Sequence, residues 1–379
     1  MDQLTVVIIA YNRAWALKRL LESLYRTNLK DYNLKFVFSL EKDSPSDVES
    51  VIKDFEFGGV DIIIHKNEER LGADAHNLAV QQLALIHGNL LILEDDHFVS
   101  PFVFDYCFEA LRFYKDKQRI AAISLYPYLW VESVSVPFIP LHDGYINYYQ
   151  QRPSSRGYLL TKENVIKFNQ WKNRNHGKQN PLPPNTYTWK HDNWEREWYH
   201  YIIETNQFLV FPRVAYNTVF GEPGYNMNDP NERTVFQHPL MIGKSEFRFS
   251  AMEDSMAVYD SFYEFLKYEE IGITETEGDL YGTKGPGLIH KKYVIINSNH
   301  SSSIKSFGRD LKPIELNVLF NNSGNEISMI ETIHYQSRQT ENLENYLYFN
   351  NLFSFPSLKV FLAYYRKKIE KRVGNPKLR

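Results

Sequence analysis

The sequence predicts an α/β protein built on a mostly parallel, Rossmann-like sheet flanked by helices, with a small C-terminal accessory region and a basic tail. Three observations predict it. Strand-length apolar runs alternate with helically spaced segments through the first 120 residues, which is the mark of βαβ units. Polar residues cluster just after those apolar runs, where the strands of such a sheet end and ligands bind. Beyond them the pattern loosens, and basic residues crowd the chain after Pro356.

Residues 4–10, LTVVIIA, are continuously apolar and β-branched, as in a strand buried on both faces. Residues 14–27 carry Leu17, Leu20, Leu21 and Leu24 on one helical stripe. A second strand is expected at 34–40, a helix from Ser46 to Phe55, a third strand at 60–64 and a helix over about 74–87. A fourth strand, Asn89 to Leu93, then runs into Glu94, Asp95 and Asp96. The segment 121–240 is irregular and rich in Pro, Tyr, Trp and Asn, with helices expected at 161–171 and about 192–204. Residues 251–269 space Met252, Met256, Tyr259 and Phe262 or Tyr263 like a helix, and 291–297, 315–320 and 326–330 read as short strands. The expected division is a catalytic domain at 1–250 (halves 1–120 and 121–250), an accessory region at 251–355 and a tail at 356–379.

The 379 residues are 43% hydrophobic and 23% charged, enough for one large core plus an addition. A net charge of −3 supplies no basic field, so no nucleic-acid partner is expected. A single cysteine, Cys107, excludes an internal disulfide framework and reads as a buried thiol on a helix. No run of about 18 apolar residues is present, and no signal peptide is expected in front of the first strand. The chain holds 26 Tyr, 25 Phe and 6 Trp, which fill a core and also suit the faces of sugars.

The strongest local signal is LLILEDDHF at 90–98. Three adjacent carboxylates repel one another unless a cation or a proton intervenes, and Mg²⁺ and Mn²⁺ favour carboxylate oxygen. Asp96 or Asp95 is free to face the crevice, where a divalent ion would offset a leaving diphosphate. A solvated acidic turn ahead of a helix starting at Ser100-Pro101 is the plain alternative. AYNR at 10–13 follows the first strand: Asn12 or Tyr11 is a candidate for base or ribose contact, ahead of a helix N-terminus that favours anions. NEERLGADAHN at 67–77 adds Arg70 for a phosphate and Gly72 for close backbone approach.

In this order, TVVIIAYNR, FSLEKDS, NEERLGADAHNLAV and LLILEDD resemble the nucleotide-sugar half of GT-A fold glycosyltransferases. The nearest resemblance is to the inverting relatives of N-acetylglucosaminyltransferase I and the family-2 transferases. It implies transfer of a hexose or N-acetylhexosamine from a UDP-sugar to a glycan or lipid-linked glycan, with Mn²⁺ or Mg²⁺. It assigns the metal to Asp96, the ribose or sugar to Asp95 with Glu94 in support, and the uracil or ribose to Glu41 or Asp43. Ala10, Tyr11, Asn12, Arg13, Arg70, Gly72 and Asp74 fall in the implied donor-binding segments. SSRGYLLTKENVIKFNQW at 154–171, with Arg156 and Gly157, resembles the sugar-pocket wall. TWKHDNWEREWYHYI at 188–202 resembles the Trp-Asp-Asp-Trp stretch that carries the catalytic base, which maps to Asp192. His191 and Asn193 flank it, so the tandem acid of the family is missing.

Inverting transfer needs a carboxylate to take the acceptor's proton. Asp192, among Trp189, Trp194 and Trp198, is expected to be partly desolvated, or else to cap the helix that follows. His238 lies where many GT-A enzymes place a late metal-binding histidine; His97 and His76 are weaker candidates. Arg152 and Arg213 join Arg156 as candidates for an anionic group. After Pro356, eight Lys and Arg residues face only Glu370, behind an apolar stretch, which suits the surface of an anionic membrane. The expected place is therefore the cytoplasm, peripheral on the inner face of the membrane, in assembly of a bacterial surface polysaccharide. Two alternatives stand beside this reading: a sugar nucleotidyltransferase, which would begin with a Gly-rich phosphate loop rather than AYNRAW, and a non-catalytic glycan-binding descendant.

Overall fold

A computed structural model describes residues 3–55, 57–174, 180–220, 237–244 and 246–336. The basic tail at 356–379, the end of the accessory region and most of the glycine-containing loop after 220 lie outside them. The first half alternates as expected. Strand β1 (Leu4–Ala10), helix α1 (Ala14–Tyr25), β2 (Leu34–Leu40), α2 (Ser46–Lys53) and β3 (Asp61–Lys66) lead to α3 (Ala73–Gln82), the short α4 (Ala84–His87) and β4 (Asn89–Glu94). Then come β5 (His97–Val99), α5 (Val103–Tyr114), β6 (Ile120–Ser124), β7 (Trp130–Val131), β8 (Val136–Pro137), β9 (Asn147–Gln150) and β10 (Tyr158–Leu160). Helices α6 (Lys162–Arg174) and α7 (Trp194–Glu204) precede β11 (Phe208–Pro212), β12 (Asn217–Val219) and β13 (Val258–Tyr259).

Nine strands form one sheet in the order β13-β9-β11-β6-β10-β4-β1-β2-β3. The β1–β4, β1–β2 and β2–β3 pairs are parallel, and β10 runs antiparallel between β4 and β6. The α/β class with a mostly parallel sheet is therefore as expected. β1 shows why a continuous apolar run was needed: Val6 and Ile8 pack with Leu17, Leu20 and Leu21 of α1, while Val7 faces the opposite layer with Val80 and Trp198. Each fully buried leucine of the α1 stripe contributes about 1.5–3 kcal/mol of transfer free energy. Cys107 is buried on α5, as expected of an inert thiol.

Two expected elements differ. Residues 251–269 are not helical. Val258 and Tyr259 close the edge of the main sheet, with Tyr149 N–H donating to Ala257 O (2.9 Å) and Gln151 N–H to Tyr259 O (3.1 Å). Asp260 then turns the chain, its side chain accepting the N–H groups of Phe262 (2.8 Å) and Glu264 (2.9 Å). Residues 315–320 are not a strand; Glu315–Leu319 is a single helical turn and a little more, α8. Buried Asn317 fixes it by donating to Leu311 O and Ile314 O, both at 2.9 Å. Among the described residues of the expected accessory region, a four-stranded sheet runs in the order β14 (Thr276–Asp279), β15 (Tyr293–Ile296), β17 (Ile327–Glu331) and β16 (Lys305–Phe307).

Candidate active site

Parallel register brings the polar segments to one rim. Ala10 pairs with Leu40, Leu40 with Lys66, and Ile9 with Glu94, so residues 10–13, 41–43, 67–74 and 94–96 all leave the sheet at its C-terminal edge. Ala10 is buried at the end of β1, and Asn12 projects into solvent at the turn beyond it.

The acidic turn is the centre of this rim. Asp95 N–H donates to Ile9 O (3.1 Å), which anchors the turn to β1. Arg13 reaches across from the start of α1 and pairs with both Asp95 and Asp96, at 3.3 Å for the second. Asp95 is nearly enclosed, and burial raises its carboxyl to about 6 even with Arg13 opposing. Burial, with Asp96 and Asp95 beside it, raises Glu94 to about 8, so Glu94 carries its proton at neutral pH. His97 is buried behind the turn; its Nδ1 accepts Glu94 N–H (3.2 Å), and burial lowers its ring to about 4. It braces the backbone of the turn.

At the neighbouring strand ends, exposed Asp43 accepts from Tyr11 Oη (3.1 Å) and Arg70 (3.4 Å), and the Arg70 guanidinium lies 4.9 Å above the Tyr11 ring. These three side chains make a stacking and hydrogen-bonding platform open to solvent. Glu41 is different. It is buried and accepts the backbone N–H groups of Leu71 (2.9 Å) and Gly72 (2.8 Å), with His76 Nδ1 at 3.4 Å. It holds the 70–72 loop to the sheet, and Gly72, at φ +79°, lets that loop turn into α3. His76 sits between Glu41 and Ser39 Oγ (2.8 Å), and burial lowers its pKa.

The second half supplies the opposite wall. Gly157 stands at φ +77°, where an added Cβ would come within 3.1 Å of both Asn217 Nδ2 and Leu125 Cδ1, so only glycine fits between β10 and β12. Arg156 lies over the Tyr126 and Tyr128 rings and donates to Tyr126 Oη (3.0 Å). His238 packs on the same Tyr126 ring, 4.8 Å between centroids, and burial lowers it to about 4, leaving it neutral. Arg152 is wholly buried among Tyr199, Tyr263 and Glu132, and Arg213 pairs with Asp143 at 2.8 Å; both are structural cations.

Helix α7 begins here. Asn193 caps it by accepting Arg196 N–H (3.2 Å), and Asp74 of α3 accepts from Asn193 Nδ2 (3.0 Å) and Trp194 N–H (3.2 Å). Asp74 therefore joins the two halves, while Asp192, just outside the helix, is exposed and lacks the expected desolvation. The carboxyl that is desolvated is Glu195, one residue into the helix. Burial raises it to about 7, with Arg152, Glu132, Arg156 and Ser155 around it and Glu94 near enough to interact. Sequence reasoning passed over Glu195, although the signal was present: it shares a helical stripe with the buried Trp198, Tyr199 and Ile202, and an acid on an apolar stripe is unusual.

Among the described residues, no group of three or more His, Cys, Asp or Glu side chains is gathered to hold a metal ion. The acidic turn nevertheless fits Mn²⁺ or Mg²⁺ chemically. Its donors are hard oxygens, and the Asp95 and Asp96 carboxyls lie side by side at the strand end, both within reach of one cation, Arg13. No described helix is long and apolar enough to cross a membrane.

No protein-family model matches the chain, and no curated protein matches it. Solved structures do. The chain is similar to residues 1–349 of TarS from S. aureus in complex with UDP-GlcNAc, at 12% identity and TM-score 0.38, over 59% of this chain and 60% of that one. It is similar to GalNAc-T7 with UDP, GalNAc and Mn²⁺ at 15% identity and TM-score 0.39, over 55% and 42%. It is also similar to the 4-diphosphocytidyl-2C-methyl-D-erythritol synthase of Anaerococcus prevotii, at 10% identity and TM-score 0.35, over 57% and 91%. The chain thus spans less than two thirds of the length of the two transferase structures.

Proposed function

We propose that this chain is a metal-dependent, inverting glycosyltransferase that moves a sugar from a UDP-sugar to a glycan or lipid-linked glycan. The observation that carries the reading is the acidic turn after β4, crowded with charge at the sheet rim and facing a desolvated carboxyl on α7. Tyr11, Asp43 and Arg70 would receive the uracil and ribose by stacking and hydrogen bonding. Asp96, with His238 as a further candidate, would hold Mn²⁺ or Mg²⁺, and Asp95 the ribose or sugar. A bound divalent ion supplies charge neutralisation for the departing diphosphate.

Glu195 is the proposed base. With its pKa near 7 it is part ionised at working pH and basic enough to accept the acceptor's hydroxyl proton. Protonated Glu94 adds no charge opposite it. Asp192, which the family resemblance favours, remains the competing assignment. The basic tail would bring the enzyme to an anionic leaflet, where a lipid-linked acceptor is found, and a role in bacterial surface polysaccharide assembly follows from that placement.

The test is thermal unfolding against a panel of nucleotide sugars, with and without Mn²⁺. A selective UDP-sugar should raise the melting temperature by mass action, more so with the ion. Stabilisation by none of the panel would sink the proposal.

A further inference from the structure

Arg13 has no place in the chemistry just described, yet it occupies the centre of the site. Its backbone is fixed: it precedes α1, and its carbonyl accepts the N–H groups of Ala16 and Leu17, both at 3.0 Å. Its side chain turns back from that anchor to span Asp95 and Asp96. The three side chains are 19%, 5% and 16% exposed, so this is an enclosed pair of contacts rather than a surface ion pair. The first turn of α1 carries no acid that would draw the guanidinium elsewhere.

We propose that Arg13 is the resident counter-cation of the acidic turn, exchanging with the divalent ion, so that metal binds well only when a nucleoside diphosphate is present to take the displaced guanidinium. The inference rests on the metal assignment above. A guanidinium and a divalent ion cannot share Asp95 and Asp96 without strong repulsion at such distances. Displaced alone, Arg13 would lose two charged partners in a partly buried place, which opposes metal binding. A diphosphate at the rim removes that penalty, because its oxygens accept both cations, and arginine matches phosphate oxygens in a bidentate fashion. Arg13 thereby keeps the acids poised in the empty enzyme and makes donor and metal binding mutually dependent. It is a positioning residue by this account.

Calorimetric titration with MnCl₂, alone and with UDP present, tests this directly on the full chain. In the wild type, UDP should tighten Mn²⁺ binding by about ten-fold or more, within the usual range of coupling between sites. Arg13→Ala should bind Mn²⁺ alone at least about ten-fold more tightly than wild type, and its coupling to UDP should shrink to about three-fold or less. Arg13→Gln, neutral and closer in shape, should behave likewise and stands in if the alanine variant does not fold. Arg13→Lys should restore coupling. Equal or weaker Mn²⁺ binding by the neutral variants, or undiminished coupling, would overturn the proposal. If no protein binds Mn²⁺ while all bind UDP, the exchange and the metal assignment both fall and the nucleotide reading stands. Tighter Mn²⁺ binding by the variants without any UDP binding would support Arg13 as the counter-cation and remove the nucleotide reading instead.

Discussion

Substituting Glu195 by glutamine removes one titration and, in the proposed mechanism, the proton acceptor, and both effects can be sized. In the folded chain its carboxyl holds the proton up to about 7, against an ordinary 4.5 in the unfolded chain, because burial disfavours the charged form. The folded state therefore has its full advantage below pH 4.5 and loses it as pH rises through about 7. At about 1.4 kcal/mol per unit, the 2.5-unit difference sets a ceiling of about 3 kcal/mol, lowered by the partial solvent contact of this residue. Denaturant unfolding from pH 5 to pH 8 should show wild type losing up to that much relative to Glu195→Gln. The difference between the two proteins is the quantity to read, since Glu94 and Asp95 titrate over the same range. In transfer assays, kcat/KM of wild type should rise with pH through an inflection near 7, and the variant should lose about 10²–10⁴-fold in kcat. UDP affinity should hardly change. Normal turnover by Glu195→Gln, or a variant whose stability falls with pH as steeply as wild type, would refute the assignment.

Three further outcomes are expected. Asp96→Ala should abolish the enhancement of UDP binding by Mn²⁺ in calorimetry while leaving metal-free UDP binding within a few-fold, because the carboxylate oxygen is the proposed ligand. Asp192→Asn should retain transfer within a few-fold, since Asp192 is exposed at the mouth of α7; a loss of about 100-fold or more would return the base to Asp192. Deleting residues 356–379 should weaken partitioning onto anionic liposomes, by up to about 1 kcal/mol per basic residue that reaches the surface, and spare activity on a soluble acceptor.

Much of the first half was legible in the sequence because its signals are local. β1 and β2 are bounded by abrupt changes from apolar runs to polar turns, and the acids follow β4 with no intervening loop. The parts that were misread depend on distant partners. Met252, Met256 and Tyr259 match a helical spacing, but the open edge of β9 claims Val258 and Tyr259 and Asp260 satisfies the turn beyond them. In 315–320 a short apolar run fits strand and helix alike, and buried Asn317 decides for the helix by binding backbone six residues earlier. Glu41 was one of two acids, with Asp43, to which the family resemblance gave the uracil or ribose; only the folded loop shows that two backbone N–H groups already occupy its oxygens. The environment of Glu195 is built from Arg152, Glu132, Arg156 and Ser155, residues 39 to 63 positions away, and no window of sequence contains it.

The seam at Asp74 has a consequence for rebuilding this protein. One carboxylate from the first half of the chain holds both the capping residue and the first amide of the helix that carries Glu195. A chimera that imports a foreign second half must bring a matching Asn-Trp start for that helix, or Glu195 will be displaced relative to the acidic turn. Exchanging Asp74, Asn193 and Trp194 as one block is thus the minimum unit of transplantation, and a graft that splits them would keep the strand-end turns yet misalign α7 against them.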